Sequence, residues 1–312
     1  MAHLDSKHFT LERLGEGVYA AIHREGGWAI ANAGFIDLGD ATVVFDTFLT
    51  AAAAEDLRIV SEAITGRPVD KVVNSHHHND HIWGNQVFEA ESAIISSTET
   101  RHLIQTRGSR EFDWYRDHSS SRLLELQNEF RSEDDKQKRQ DIREWLTYFE
   151  GLVDSLPSLE VCPPNLVFAE RLEIFGADRS VELMSFRNGH TQSDTILLVP
   201  SERIVFMGDL LFVGCHPYLA DGDIESLLSI LARIGSLNAE IYVPGHGPVG
   251  TRRDLDTMND YVAACQHAVA ALVAAGAGSE SVATIEVPRQ FRDWRLPAFF
   301  QANVRALLER IV

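Results

Sequence analysis

The stretch Ser75-His76-His77-His78-Asn79-Asp80-His81 constrains this chain more than any other. Four histidines and an aspartate fall within six positions, directly after the apolar run Val69–Asn74, which reads as a strand. Residues two apart on extended backbone project the same way, so His76 and His78 can reach one metal ion together. Asp80 and His81 follow where the chain turns and can reach a second ion beside the first. Imidazole and carboxylate are suitable ligands for zinc, and also for iron or manganese. His77 and Asn79 are expected to point away from the ions. A single histidine would signify little, but this density at a strand end requires a fold that brings further ligands to the same place.

Three later segments offer them, each at the end of a strand pattern. Gly189-His190-Thr191 follows Val181–Phe186, Met207-Gly208-Asp209 follows Arg203–Phe206, and Pro244-Gly245-His246-Gly247 follows Ile241–Val243. A glycine beside each ligand lets backbone approach closely at a tight bend. An earlier strand, Ala41–Asp46, also ends in a carboxylate.

Strand patterns dominate both halves of the chain, with helices between them. Strands are expected over Gly17–Ile22, Trp28–Phe35, Leu166–Phe168, Leu172–Phe175 and Thr195–Val199; helices over residues 50–65, Ile224–Ile234, Asp254–Ala275 and Phe300–Ile311. Residues 99–155 differ in texture, being rich in charge with apolar residues at helical intervals, and read as two or three amphipathic helices. The polar stretch Arg131–Arg139 reads as a helix face or a turn. No repeat and no composition break calls for a second domain, so residues 1–312 are read as one domain. Within it, residues 99–155 form a helical insert over the active-site edge and residues 277–312 a C-terminal extension with a closing helix.

With 45% hydrophobic and 24% charged residues, the chain has a globular composition. Its 28 basic against 46 acidic residues give a net charge of −18, which repels phosphate backbones and anionic membranes and disfavours nucleic acid as a partner. No apolar run approaches the ~18 residues of a membrane span. The N-terminal residues Met1–Lys7 show neither a basic nor an apolar leader region, and the scattered Cys162, Cys215 and Cys265 suit a reducing compartment. A cytoplasmic location is expected.

Taken in order, Asp46, the H-x-H-x-D-H cluster, G-H-T, the strand followed by G-D, and P-G-H-G resemble the metallo-β-lactamase superfamily, from about Gly15 to Gly250. The resemblance implies an α/β fold, a four-layer αβ/βα sandwich with the metals at one edge between two mixed sheets. It implies that one zinc takes His76, His78 and His190, that a second takes Asp80, His81 and His246, and that Asp209 bridges them. Asp46 and Asp194 take supporting roles. The chemistry implied is hydrolysis by a metal-bridging hydroxide, with Asp80 orienting it and helping to pass a proton to the leaving group. No G-x-S-x-G elbow suggests a serine nucleophile.

A bridging aspartate is the pattern of glyoxalase II-like thioesterases and lactonases, whereas lactamases of the superfamily carry a cysteine or no protein ligand there. A small thioester, lactone or related ester is therefore the expected substrate. The alternatives are β-lactam hydrolysis, a mononuclear iron enzyme resembling persulfide dioxygenases, or a binding protein that has lost turnover. No basic cluster for glutathione is evident. His216 and Tyr218, in the loop after Asp209, are candidate substrate contacts. Phe112, Trp114, Tyr115, Trp145 and Phe149 of the insert are candidates to line an apolar pocket, and the same apolar face makes a homodimer a possibility.

Overall fold

A computed structural model describes residues 6–311. Residues 1–5, which carry most of the segment read as lacking a leader, lie outside it. Two sheets hold the fold. The first has seven strands in chain order: β1 (Phe9–Gly15), β2 (Val18–His23), β3 (Ala33–Asp37), β4 (Thr42–Phe45), β5 (Lys71–Val73), β6 (Ala93–Ser97) and β7 (Leu166–Phe168). It is antiparallel from β1 to β4 and parallel from β4 to β7. The second has five: β8 (Arg171–Phe175), β9 (Ser180–Arg187), β10 (Ser193–Val199), β11 (Ile204–Phe206) and β12 (Ile241–Val243), in the order β12-β11-β10-β9-β8.

The helices are α1 (Ala51–Thr65), α2 (Asn79–Ile82), α3 (Thr98–Leu103), α4 (Ser109–Ser132), α5 (Lys136–Ser155), α6 (Ile224–Gly235), α7 (Arg252–Ala274) and α8 (Ala298–Glu309). No helix among the described residues is long and apolar enough to cross a membrane.

Alternation along the strands creates three apolar layers. Val18, Ile36, Phe45, Val73 and Ile95 of the first sheet meet Val181, Leu183, Leu197, Val199 and Phe206 of the second. The opposite face of the first sheet, with Phe35, Val44, Val72 and Ile94, packs on Ala53, Leu57 and Val60 of α1. The outer face of the second, with Met184, Phe186, Ile196 and Val205, packs on α6, α7 and α8. Helix, sheet, sheet, helix is the four-layer αβ/βα sandwich expected, with a helical insert. Strands β4 and β10 are buried at every residue, which is why Val43–Phe45 and Ile196–Val199 within them read as continuous apolar runs rather than alternating ones.

Local chemistry sets the helix ends. Thr50 Oγ1 accepts from Ala53 N–H to start α1, and Gly66 at φ 72° ends it. Thr251 and Asp254 form a capping box at the start of α7. Within the insert, Arg131–Arg139 resolves as a break: α4 ends at Ser132, and Asp135 caps α5. Trp28–Phe35 is not one strand. Only Ala33 onward pairs with β2, because residues 28–32 bend to receive other loops; Ile30 takes φ 67°. Strands β1 and β6 carry no strong alternation and were not separated in the sequence.

The ligand-bearing segments converge at one edge. Those carrying residues 76–81, 209 and 246 leave the C-terminal ends of β5, β11 and β12, and His190 sits in the β9–β10 turn. Thr195 N–H donates to Ser75 C=O at 2.7 Å, tying the two sheets together beneath them.

Candidate metal centre

The histidine cluster is held from below by Asp46. This residue sits at φ 61°, a left-handed conformation unusual outside glycine but tolerated by aspartate. Its N–H donates to Val73 C=O, Oδ1 accepts from Ser75 N–H at 2.7 Å, and Oδ2 accepts from Ser75 Oγ at 2.7 Å. Oδ2 also lies 2.7 Å from His81 Nδ1, while Ser75 Oγ lies 2.9 Å from His76 Nδ1. Both imidazoles are thereby turned so that Nε2 faces the opposite way.

Those nitrogens face Asp209, whose two oxygens divide between two sets of ligands. Oδ2 lies 3.2 Å from His190 Nε2 and 3.8 Å from His76 Nε2. Oδ1 lies 3.1 Å from His81 Nε2 and 3.4 Å from His246 Nε2. Asp80 Oδ2 stands 3.4 Å from His246 Nε2 and 4.0 Å from His81 Nε2. His78 turns Nδ1 inward, 3.0 Å from His190 Nε2. Two of the groups able to hold an ion, His76/His78/His190/Asp209 and Asp80/His81/His246, thus meet at one carboxylate that faces both.

The donor atoms fit divalent cations. His76 Nε2, His81 Nε2 and Asp209 Oδ1 are buried and lack a hydrogen-bond partner, an arrangement that is costly unless something positive sits among them. Burial lowers His76 well below its ordinary value and His190 to about 3, so both present neutral lone pairs. Burial also works against a charged His81, but the carboxylates of Asp209, Asp46 and Asp80 outweigh it and raise this imidazole well above its ordinary range. Burial likewise opposes ionisation of Asp209, yet His246, His81 and His190 hold it far down as a carboxylate. Without a cation, a proton on His81 balances the buried negative charge.

A family model, that of the metallo-beta-lactamase superfamily, matches residues 26–246, more than two thirds of the chain. The chain belongs to the metallo-beta-lactamase superfamily. Solved structures of the same fold include a metallo-beta-lactamase from Pontibacter korlensis, at 16% identity and TM-score 0.59, covering 81% of this chain and 98% of that one. Another is a metallo-beta-lactamase from Hirschia baltica, at 14% identity and TM-score 0.56, covering 82% and 98%. At such identities the likeness is one of fold. No curated protein sequence matches the chain.

Around this superfamily centre, Asp194 supports the His190 turn. Both of its oxygens accept from Thr191 N–H at 3.1 Å, and Thr191 Oγ1 donates to Oδ1 at 2.9 Å. Burial raises Asp194 to about 7 against those bonds. Tyr218 is on the cavity wall, its ring 6.3 Å from that of His78. His216 borders the same cavity, but its ring is not free. His216 is fully buried, with Nδ1 2.9 Å from Tyr261 Oη and Nε2 3.1 Å from Phe291 C=O, so its ring nitrogens are already engaged. It ties the loop after Asp209 to α7 and the C-terminal segment.

Above the two groups lies a cavity of about 450 Å³. Tyr115, Trp145 and Tyr148 of the insert form one wall, and Arg295, Leu296 and Phe299 of the C-terminal segment another. Trp145 and Phe299 meet edge to face at 5.9 Å. The expectation for the other insert aromatics is corrected. Trp114 is half exposed and stacks on His118, Phe112 packs against Trp83, and Phe149 is buried within the insert. Helix amphipathicity marks which residues are apolar but not which of them meet a cavity.

Several supporting residues escaped the sequence reading. Asp221 Oδ2 lies 3.0 Å from His78 Nε2, and that hydrogen bond holds its carboxyl at about 2. Asn32 secures the His246 loop, donating through Nδ2 to the carbonyls of Pro244 at 2.9 Å and Gly247 at 2.8 Å. Asn79 Nδ2 donates to Tyr148 Oη at 2.8 Å, linking the insert to the histidine loop. The spacing of Asn79 was visible, but nothing in the sequence paired it with Tyr148.

Proposed function

We propose that this chain is a metal-dependent hydrolase that cleaves a small thioester, lactone or related ester, with two zinc ions as cofactor and iron or manganese as alternative occupants. The observation that carries the reading is the division of the Asp209 oxygens between two complete ligand groups. When bound, a divalent pair supplies an acidified water and a Lewis acid for an acyl carbonyl.

The chain's own residues do the rest. Asp80 is slightly exposed and reaches the cavity, where its carboxylate can orient an attacking water and carry a proton toward the leaving group. Asp46 and Asp194, acting through Ser75 and Thr191, keep the ligand loops in place. Tyr218 stands beside His78 as a substrate contact. The insert and the C-terminal segment cover the site within one domain, and the cavity suits an acyl compound with an apolar body.

β-Lactam hydrolysis is the second reading, favoured because the two solved structures that share the fold are metallo-beta-lactamases. A mononuclear iron enzyme would leave Asp80, His81 and His246 without a task.

The test is hydrolysis across a matched panel: an acyl-glutathione thioester, a set of lactones, an aryl ester and nitrocefin, each with added zinc and after chelation. Chelator-sensitive turnover of a thioester or lactone is expected. Turnover of nitrocefin far above the others would favour the second reading. A protein that retains no divalent metal would overturn both.

A further inference from the structure

We propose that Asp221 is a positioning residue for His78, and that Arg107 of the helical insert acts on the metal centre through it. The inference rests on the reading of the two ligand groups as a metal centre. His78 uses both ring nitrogens: Nδ1 faces His190 within the first group, and Nε2 lies 3.0 Å from Asp221 Oδ2. A carboxylate on the outer nitrogen fixes the tautomer that leaves the inner lone pair free, and it raises the basicity of the ring. The same device serves His81 through Asp46, so each ligand group contains one histidine backed by a buried or half-buried carboxylate.

The two carboxylates differ in where they sit. Asp46 directly follows β4, whereas Asp221 lies in the loop between Asp209 and α6. That loop is anchored: Asp223 N–H donates to Asn188 C=O at 3.1 Å, and Arg310 Nη1 donates to Gly222 C=O at 2.6 Å. Gly222 packs so closely on the His190 turn that a Cβ would overlap the Gly189 carbonyl. Asp221 therefore stands on a rigid base, as a group that orients a ligand must.

Its second oxygen faces the insert. Arg107 Nη1 lies 3.9 Å from Asp221 Oδ1. Arg107 falls in the π-helical segment Ile104–Gly108, between α3 and α4, where the wider turn interrupts the regular helix. Arg107, Asp221 and His78 thus form a chain from the insert to the first ligand group. Arg107 thereby sets a positive charge of the insert beside the carboxylate that backs a candidate metal ligand and moderates that carboxylate's charge.

His77 provides the competing explanation. Its Nδ1 is buried without a partner, and His77, His78 and Asp221 are close enough to hold an ion of their own. In that case Asp221 would be a ligand rather than a positioning residue.

The test uses the zinc-loaded full chain and Asp221→Asn, Asp221→Ala, Arg107→Ala and the Arg107→Ala/Asp221→Ala double variant. Zinc stoichiometry, zinc affinity by chelator competition and the visible spectrum of the cobalt-substituted protein are measured. Asp221→Ala is expected to weaken one of two ions by about 10–100-fold, with a changed cobalt spectrum. Asp221→Asn, which keeps an acceptor of the same shape, is expected to fall between it and the wild type. Arg107→Ala, which removes the cation that moderates Asp221, should tighten the same ion slightly, a change that vanishes in the Asp221→Ala background.

Unchanged affinity in Asp221→Ala, equal weakening of both ions, or loss of a third ion would overturn the positioning role. Additive effects of Arg107→Ala and Asp221→Ala would overturn the link to the insert. A wild-type chain that binds no zinc would instead overturn the metal-centre reading itself.

Discussion

Asp46 and His81 form a wholly buried pair, with Asp46 Oδ2 2.7 Å from His81 Nδ1. Asp46 holds this position from a left-handed backbone conformation and spends its remaining contacts on Ser75. Strain at such a site persists only where the surroundings over-determine it, and here four hydrogen bonds do so, to Val73, Ser75 and His81. Asp46→Asn should preserve the shape but remove the charge behind His81. We expect zinc affinity of the Asp80/His81/His246 group to fall by about 10–100-fold, read by chelator competition. Unchanged affinity would show that orientation through Ser75 suffices.

Gly245 is the residue of the P-G-H-G motif that makes room for the shared carboxylate, since a Cβ there would overlap Asp209 Oδ1. Gly245→Ala should displace Asp209 and so weaken both ions together. A variant that lost only one ion would show that the carboxylate shifts toward one ligand group.

Zinc binding should release protons. His81 is drawn above its ordinary range by Asp209, Asp46 and Asp80 despite burial, so in the metal-free chain it remains protonated above pH 6.5. A cation must displace that proton, and apparent affinity should rise about tenfold per pH unit for each proton released. Calorimetry in buffers of different ionisation enthalpy measures the number directly. A value of zero at pH 7 would contradict the charge balance described.

His216 should matter for stability and not for metal content. Burial lowers it to about 4, so the folded chain keeps it neutral where the unfolded chain binds a proton. Stability that it contributes is present above pH 6.5 and is lost as pH falls toward 4. His216→Ala should cost roughly 2–4 kcal/mol at neutral pH, from the emptied volume and the stranded Tyr261 hydroxyl and Phe291 carbonyl. It should also flatten the acid limb of a thermal-stability profile. A large loss of zinc at unchanged stability would restore it to the site.

Trp145 separates substrate fit from metal chemistry. It lines the cavity against Tyr148 and Phe299. Trp145→Ala should raise KM for an acyl substrate with a bulky apolar body by about tenfold, with zinc content unchanged. Equal effects on bulky and minimal substrates would assign Trp145 to packing alone.

The candidate ligands were legible because each lies beside a local signal. His76, His78, Asp80 and His81 crowd one strand end, and His190, Asp209 and His246 each sit beside a glycine after an apolar run. The fold was legible for the same reason: runs such as Val43–Phe45 and Ile196–Val199 are apolar at every position because both of their faces are covered. The burial of His216 was not legible, because position in a loop next to a candidate ligand says nothing about burial. Trp114 misled because helical spacing defines a face without saying what lies opposite it.

The sequence by itself determined the residue types, their order, and hence the superfamily and the candidate ligands, since these depend on short-range spacing along one chain. Only the tertiary structure decided which oxygen of Asp209 faces which histidines, that Asp221 stands behind His78, and that the insert and the C-terminal segment share one cavity. Asp221 lies 143 residues from His78 in sequence and 3.0 Å from it in space. No local pattern records such a pairing, because it is set by how the two sheets, the loop after Asp209 and the insert pack against one another.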